Sequence, residues 1–124
     1  MFDKTYEVRL AAWAKFRRSL EQSKDPIQDV IDCYNTAPTV SIHIDPWDQK
    51  SWPDPWQLVQ ENQYCEFARV LGMCYSLQLT DRFKGSSFEI HIITDYEEST
   101  NYYILMVDKY AIGYYNDTYT SIDE

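Results

Sequence analysis

Apolar positions recur at spacings of three and four over residues 3–22, where Tyr6, Leu10, Trp13, Arg17 and Leu20 share one stripe with Phe16 beside it. That spacing predicts an amphipathic helix, with Arg17 snorkelling from the edge of the stripe. Asp25-Pro26 is a restart signal, since Asp caps a helix and Pro fits its first position. Ile27, Val30, Ile31 and Tyr34 then line a second helix that ends before Pro38. Residues 39–44 alternate, with Val40, Ile42 and Ile44 on one side and His43 on the other, which predicts a short strand. No period runs through residues 45–55. An ordered loop is expected there, because Trp47, Trp52 and Trp56 are too large to leave in water. Asp54-Pro55 repeats the cap signal before a short helix over 56–61. The strongest helical pattern starts at about Gln63 and runs to Leu79, with Tyr64, Phe67, Val70, Leu71, Cys74 and Leu77 on a broad apolar face. Gly72 inside it costs about 1 kcal/mol relative to Ala and points to close packing.

After Asp81 the period changes to two. Phe88, Ile90 and Ile92 alternate with Glu89 and His91, and strands are expected near 87–95, 101–108 and 110–116. Tyr96 to Thr100 reads as a turn and Asp108-Lys109 as a tight connection. Helices first and an antiparallel meander afterwards make an α+β fold, with the 63–79 helix central on a three-stranded or slightly larger sheet. At 124 residues the chain suits one domain, with a helical part over 1–37 and a core over 51–117.

Composition narrows the partners. Eleven basic against twenty acidic residues give a net charge of −9, which repels nucleic acid and anionic membranes. Arg9, Lys15, Arg17 and Arg18 are expected to form a solvated helix face. Only three Gly occur, with no phosphate-cradling Gly motif, and no cofactor is expected. Three Cys without a CxxC pair and two His do not make a zinc site, so no metal is expected. The first ten residues lack the apolar region of a signal peptide, and no stretch is apolar enough to span a bilayer. An intracellular product is expected. Aromatics reach 16%, including eleven Tyr. That is more than a domain of this size buries alone, so a homo-oligomer or an obligate protein partner is expected.

Cys65 is the first candidate for chemistry, at the start of the 63–79 helix, where the helix dipole favours a thiolate. A nucleophilic Cys needs a base, normally a His oriented by Asp or Asn. The structural alternative is a small packing residue, and Cys33 and Cys74 fall on apolar stripes. The second candidate is Trp47, Trp52 and Trp56 with Pro46, Pro53 and Pro55. They form either a rigid binding ledge or a cluster that pins the loop. Tyr102, Tyr103, Tyr110, Tyr114, Tyr115 and Tyr119 carry more aromatic area than one sheet face needs, and some of it, Tyr102 and Tyr114 in particular, is expected to face a partner. Glu97 and Glu98 are adjacent and carry no catalytic weight.

The segment Asn62 to Tyr75, NQYCEFARVLGMCY, resembles the Cys helix of the transglutaminase-like fold, followed as there by an antiparallel sheet. The resemblance covers about residues 51–117. It implies a catalytic Cys at Cys65, a His opening the second strand and an Asp at the end of the third. Asn101-Tyr102-Tyr103 stands in the His slot and Asn116-Asp117 in the Asp slot. Cys65 and Asp117 match and Tyr102 does not. A phenol of pKa about 10 is no base near neutral pH, so the resemblance implies a degenerate, vestigial site.

The run Ser51 to Val59, SWPDPWQLV, with the Cys65 helix resembles small proteins of tailed phages of marine cyanobacteria. This implies a phage protein in the virion or the host cytoplasm. Three functions follow as expectations. The first is a non-enzymatic virion component or assembly factor acting through protein contacts. The second is a cysteine hydrolase or acyltransferase using Cys65. The third is a host-directed effector that binds a host protein.

Overall fold

Two Asp-Pro signals set the helical part of the molecule. In the computed structural model, which describes residues 1–40, 44–113, 115 and 117–122, α1 spans Tyr6–Gln22 and α2 Pro26–Tyr34. Asp25 caps α2, its Oδ1 accepting from the Gln28 amide at 3.3 Å. Asp54 caps α3, Pro55–Glu61, in a full capping box. The Gln57 amide donates to Asp54 at 2.8 Å and the Asp54 amide donates to the Gln57 side chain at 2.9 Å.

α4 spans Glu66–Gln78 and starts later than its hydrophobic period. Asn62 takes a left-handed conformation, φ 53°, that closes α3. Cys65 then precedes α4 in extended backbone, so it is the cap position rather than part of the first turn. Tyr64 is spent on an isolated parallel bridge to Thr39. That bridge, with Ile44 packed on the core, is what is seen of the strand expected over 39–44. Ser41, Ile42 and His43 lie outside the described residues.

Two of the arginines expected in a solvated face are structural. Arg9 Nε and Nη2 donate to the Val59 carbonyl at 3.2 and 3.1 Å, and Nη2 donates to Gln60 O at 3.1 Å. Its positive charge thus sits on the open carbonyls and negative dipole end of α3. Arg17 stacks over the Trp13 ring, 4.2 Å from its centroid. A matching clamp ends α1. Arg82 Nη1 donates to Leu20 O at 3.0 Å and Ser23 O at 2.5 Å, while Glu21 accepts from the Asp81 and Arg82 amides at 2.8 and 2.9 Å.

The sheet is an antiparallel meander, β1 Phe88–Asp95, β2 Thr100–Val107, β3 Tyr110–Ile112 and β4 Tyr119–Ser121, in that spatial order. Register runs from Phe88 opposite Val107 to Asp95 opposite Thr100. The period of two therefore turns Phe88, Ile90, Tyr103, Leu105 and Val107 to the core beneath α4. The third strand ends at Ile112, short of the expected 116, and β4 is an added strand. β4 is fixed by Tyr119, whose ring meets Tyr110 edge-on at 5.6 Å and whose hydroxyl donates to Asp25 at 2.9 Å.

α4 is central, packed on α1, α2, α3 and β2. Gly72 lets the Tyr34 ring approach it: a Cβ there would lie 2.7 Å from Tyr34 Cζ. One turn on, Ser76 is fully buried. Its Oγ donates to Gly72 O at 2.8 Å, accepts Trp13 Nε1 at 2.9 Å and pairs with the Tyr34 hydroxyl at 3.1 Å. Because the single Ser76 proton goes to Gly72, Tyr34 is the donor in the last bond. Among the described residues no helix is long and apolar enough to cross a membrane.

Candidate functional site

The residues that end one element and start the next build an open groove at the head of α4. Cys65 and Glu66 supply its floor with Phe67. The 44–47 segment (Ile44, Asp45, Pro46, Trp47) forms one wall, and Ser99, Thr100, Asn101 and Tyr103 form the other; the groove measures about 510 Å³. β2 alternation places Asn101 and Tyr103 on the groove side, and Tyr103 stacks edge-on against Phe67 at 5.1 Å.

The Trp47 loop is held in shape by its own polar atoms. Asp45 Oδ1 accepts from the Trp47 amide at 2.9 Å, Asp45 O accepts from the Asp48 amide at 3.2 Å, and Trp52 Nε1 donates to Asp45 O at 3.1 Å. A 3-10 turn over Gln49–Ser51 follows, capped by Asp48. Within this frame the three tryptophans separate. Trp52 turns inward onto Phe67, with centroids 5.1 Å apart. Trp56 packs edge-on against Trp13 at 6.2 Å and keeps 49% of its surface. Trp47 stays 71% exposed on the groove rim. So Trp47 stays exposed on the rim, Trp52 pins the loop, and Trp56 is half-packed and half-exposed.

A second groove of about 240 Å³ lies across the α4 start. Glu66 and Tyr103 line both grooves, and Ile31, Arg69, Met73, Tyr102 and Tyr115 are among the other residues of the second. Tyr102 is 47% and Tyr115 60% exposed. Arg69 is tied inward, its Nη2 donating to Ala37 O at 2.8 Å and to the Thr39 hydroxyl. Tyr114, expected in this surface, lies outside the described residues.

The catalytic set is not assembled among the described residues. Cys65 is half-buried and opens onto the groove opposite Asn101 and Tyr103, with Tyr102 in the neighbouring groove. His91 is on the outer face of the sheet, 3.6 Å from Glu89, in a separate depression with Ile104, Met106 and Ile122. Asp117 is not part of the Cys65 groove; its carbonyl accepts from Gln28 Nε2 at 2.6 Å near the start of α2. Burial pushes the Cys74 thiol up to about 12 and the Cys33 thiol up to about 11, which keeps both protonated packing residues. No group of three or more His, Cys, Asp or Glu is placed to hold a metal among the described residues.

Sequence reasoning missed Asp45 and Thr100 as groove residues and named Tyr103 only within the His slot and the tyrosine-rich surface. The signal for Tyr103 was present in the β2 alternation, because it shares a face with Leu105 and Val107. Asp45 had no period to reveal it. No family model, no curated protein and no solved structure matches the chain.

Proposed function

We propose that the chain is a non-catalytic binding module that acts through protein–protein contacts, as a virion component or assembly factor on a degenerate transglutaminase-like scaffold. The observation that carries the reading is Trp47, an indole left 71% exposed on a hydrogen-bonded loop at the mouth of an open groove. Indoles and phenols presented on a fixed backbone bury large area on binding at low entropic cost, and they dominate interface energies. Tyr102 and Tyr115 extend the surface around the head of α4. The scaffold reading is supported by the order of elements, a Cys at the head of a central helix and then an antiparallel sheet. It is also supported by the residues of the family's His slot, Asn101 to Tyr103, which open β2.

A photo-crosslinking side chain introduced next to the loop, at Asp48, tests this in infected cells and in purified virions. Crosslinks to virion proteins that disappear with Trp47→Ala are the expected result. Crosslinks unchanged by Trp47→Ala defeat the groove reading. Crosslinks to host proteins alone, with the chain missing from virions, replace the virion role by a host-directed effector.

A second reading, a cysteine hydrolase or acyltransferase, is favoured by one observation: Cys65, though packed against the core on one side, also lines the open groove. Cys65→Ala separates the two. Full function in the variant, with stability lowered by about 1 kcal/mol, supports the binding module; lost function with intact partner capture supports the enzyme.

A further inference from the structure

The sheet has one long open edge, and its chemistry names what covers it. Among the described residues β1 is outermost and pairs only with β2, and its eight residues FEIHIITD run in unbroken register with β2. Edge strands that must stay single carry charged side chains (Lys above all), Pro, a bulge or an inward-pointing charge; β1 has no Lys, Pro or bulge, and its two carboxylates, Glu89 and Asp95, are at odd positions, off the core face of Phe88 and Ile90. The Asp108 amide donates to Ser87 O at 2.9 Å, which fixes the alternation of the ladder. Odd residues of β1 bond to β2, and Phe88, Ile90, Ile92 and Thr94 turn their amides and carbonyls to the free edge. No backbone hydrogen bond from another segment reaches these groups among the described residues.

We propose that the β1 edge pairs with β1 of a second copy, antiparallel about a two-fold axis at Ile90, so that two four-stranded sheets fuse into one. The register follows from charge. Antiparallel self-pairing centred on Ile90 sets Glu89 opposite the second copy's His91, and His91 opposite its Glu89, on the outer face. On the inner face it sets Phe88 against Ile92. A shift by one pair in one direction sets Glu89 against Glu89; in the other it sets His91 against His91; two pairs in that direction set Glu89 against Asp95. A register centred on Ile93 also opposes His91 and Asp95 twice, but Asp95 Oδ1 is already taken by the Glu97 and Glu98 amides, at 3.0 and 3.3 Å, so the Ile90-centred register is the one that matches His91 with a carboxylate free of backbone partners. Glu89 and His91 already lie 3.6 Å apart within one chain, both more than half exposed, so the pairing closes a four-residue polar square. An imidazole serves it in either protonation state, as a cation or as an N–H donor. This surface is distinct from the Trp47 groove, so dimer and partner binding are compatible.

Two measurements test the proposal on the full chain. Glu89→Lys removes the carboxylate that accepts from His91 at both symmetry-related pairs and should raise the dimer dissociation constant roughly tenfold in sedimentation equilibrium. The reversal Glu89→Lys with His91→Glu should restore it. Both side chains are exposed, so circular dichroism should be unchanged throughout. The register is read separately. Opposed odd residues form the close pairs, with Cα atoms about 4.5 Å apart, inside the range for a disulfide. An oxidised mixture of Glu89→Cys and His91→Cys chains should therefore give a crosslinked heterodimer that neither variant gives alone. A monomer at high concentration overturns the proposal, and so does a dimer indifferent to the charge swap or without the mixed crosslink.

Discussion

The same residue types do opposite work in two regions of this molecule. Between α1, α2 and α4, Trp13, Tyr34 and Tyr64 are almost wholly buried, and Trp13 and Tyr34 spend their polar tips on Ser76. Around the head of α4, Trp47, Tyr102 and Tyr115 are left to water, while the backbones of Trp47 and Tyr102 are fixed by the 45–52 loop and β2. The buried group falls on helical stripes or on the bridge beside one. The exposed group falls where the period lapses or at a strand end. Position relative to the local period, rather than residue type, decides whether an aromatic is mortar or contact surface.

The comparison breaks most severely at Ser76. Ser76→Ala leaves the Tyr34 hydroxyl proton buried without its acceptor and the Trp13 indole N–H with only the adjacent Tyr34 oxygen, and each orphaned donor costs about 1–3 kcal/mol. A loss of about 4 kcal/mol in urea unfolding is expected, a large part of the stability of a small domain. Gly72→Ala should follow at about 3 kcal/mol, because the new methyl meets a Tyr34 ring that has no space to retreat. If either variant unfolds within 0.5 kcal/mol of the parent, the helical region is not the rigid half of the comparison.

Alkaline pH probes the same region without mutation. Burial raises the Tyr34 and Tyr64 phenols well above their ordinary value of 10.0, and raises the Cys74 thiol from 9.0 to about 12. A folded-state pKa above the unfolded one gives stability that is complete below the unfolded value and is lost as pH climbs past it. From about pH 9 the unfolded chain therefore releases protons that the folded chain retains, and each group removes about 1.4 kcal/mol per pH unit. Helical circular dichroism and the tyrosinate absorbance of the buried rings should change in one step above pH 10. Tyr64→Phe should move that step upward.

Much of the helical region was legible in the sequence. Asp25-Pro26 and Asp54-Pro55 mark helix starts through cap chemistry that is local, and Gly72 announces close packing because only a steric reason keeps Gly inside so regular a helix. The switch from a period of 3.6 to one of 2 located β1 and β2. What stayed hidden depends on contacts distant in sequence. β4 is three residues held by a Tyr119–Asp25 bond 94 positions apart. Ser76 reads as an ordinary polar residue until Trp13 and Tyr34 converge on it. The displacement of Cys65 from first turn to cap follows from the left-handed Asn62, which the apolar pattern running through Tyr64 masks. The groove is half made of an aperiodic loop, and there alternation and helical spacing say nothing.

The smallest expected effect on stability sharpens the comparison most. Among the described residues Trp47 makes no ring contact of the kind that holds Trp13, Trp52 and Trp56, and its loop is shaped by Asp45 through backbone bonds that survive truncation of the indole. Trp47→Ala should therefore change the unfolding free energy by less than about 0.5 kcal/mol, while an interface built on an exposed indole loses about 2 kcal/mol or more of binding. Trp52→Ala is the internal control. It removes a ring packed on Phe67 and should cost about 3 kcal/mol of stability. Paired urea unfolding of the two variants reads the difference directly. Equal losses would mean that Trp47 packs in solution and that the groove has no exposed rim.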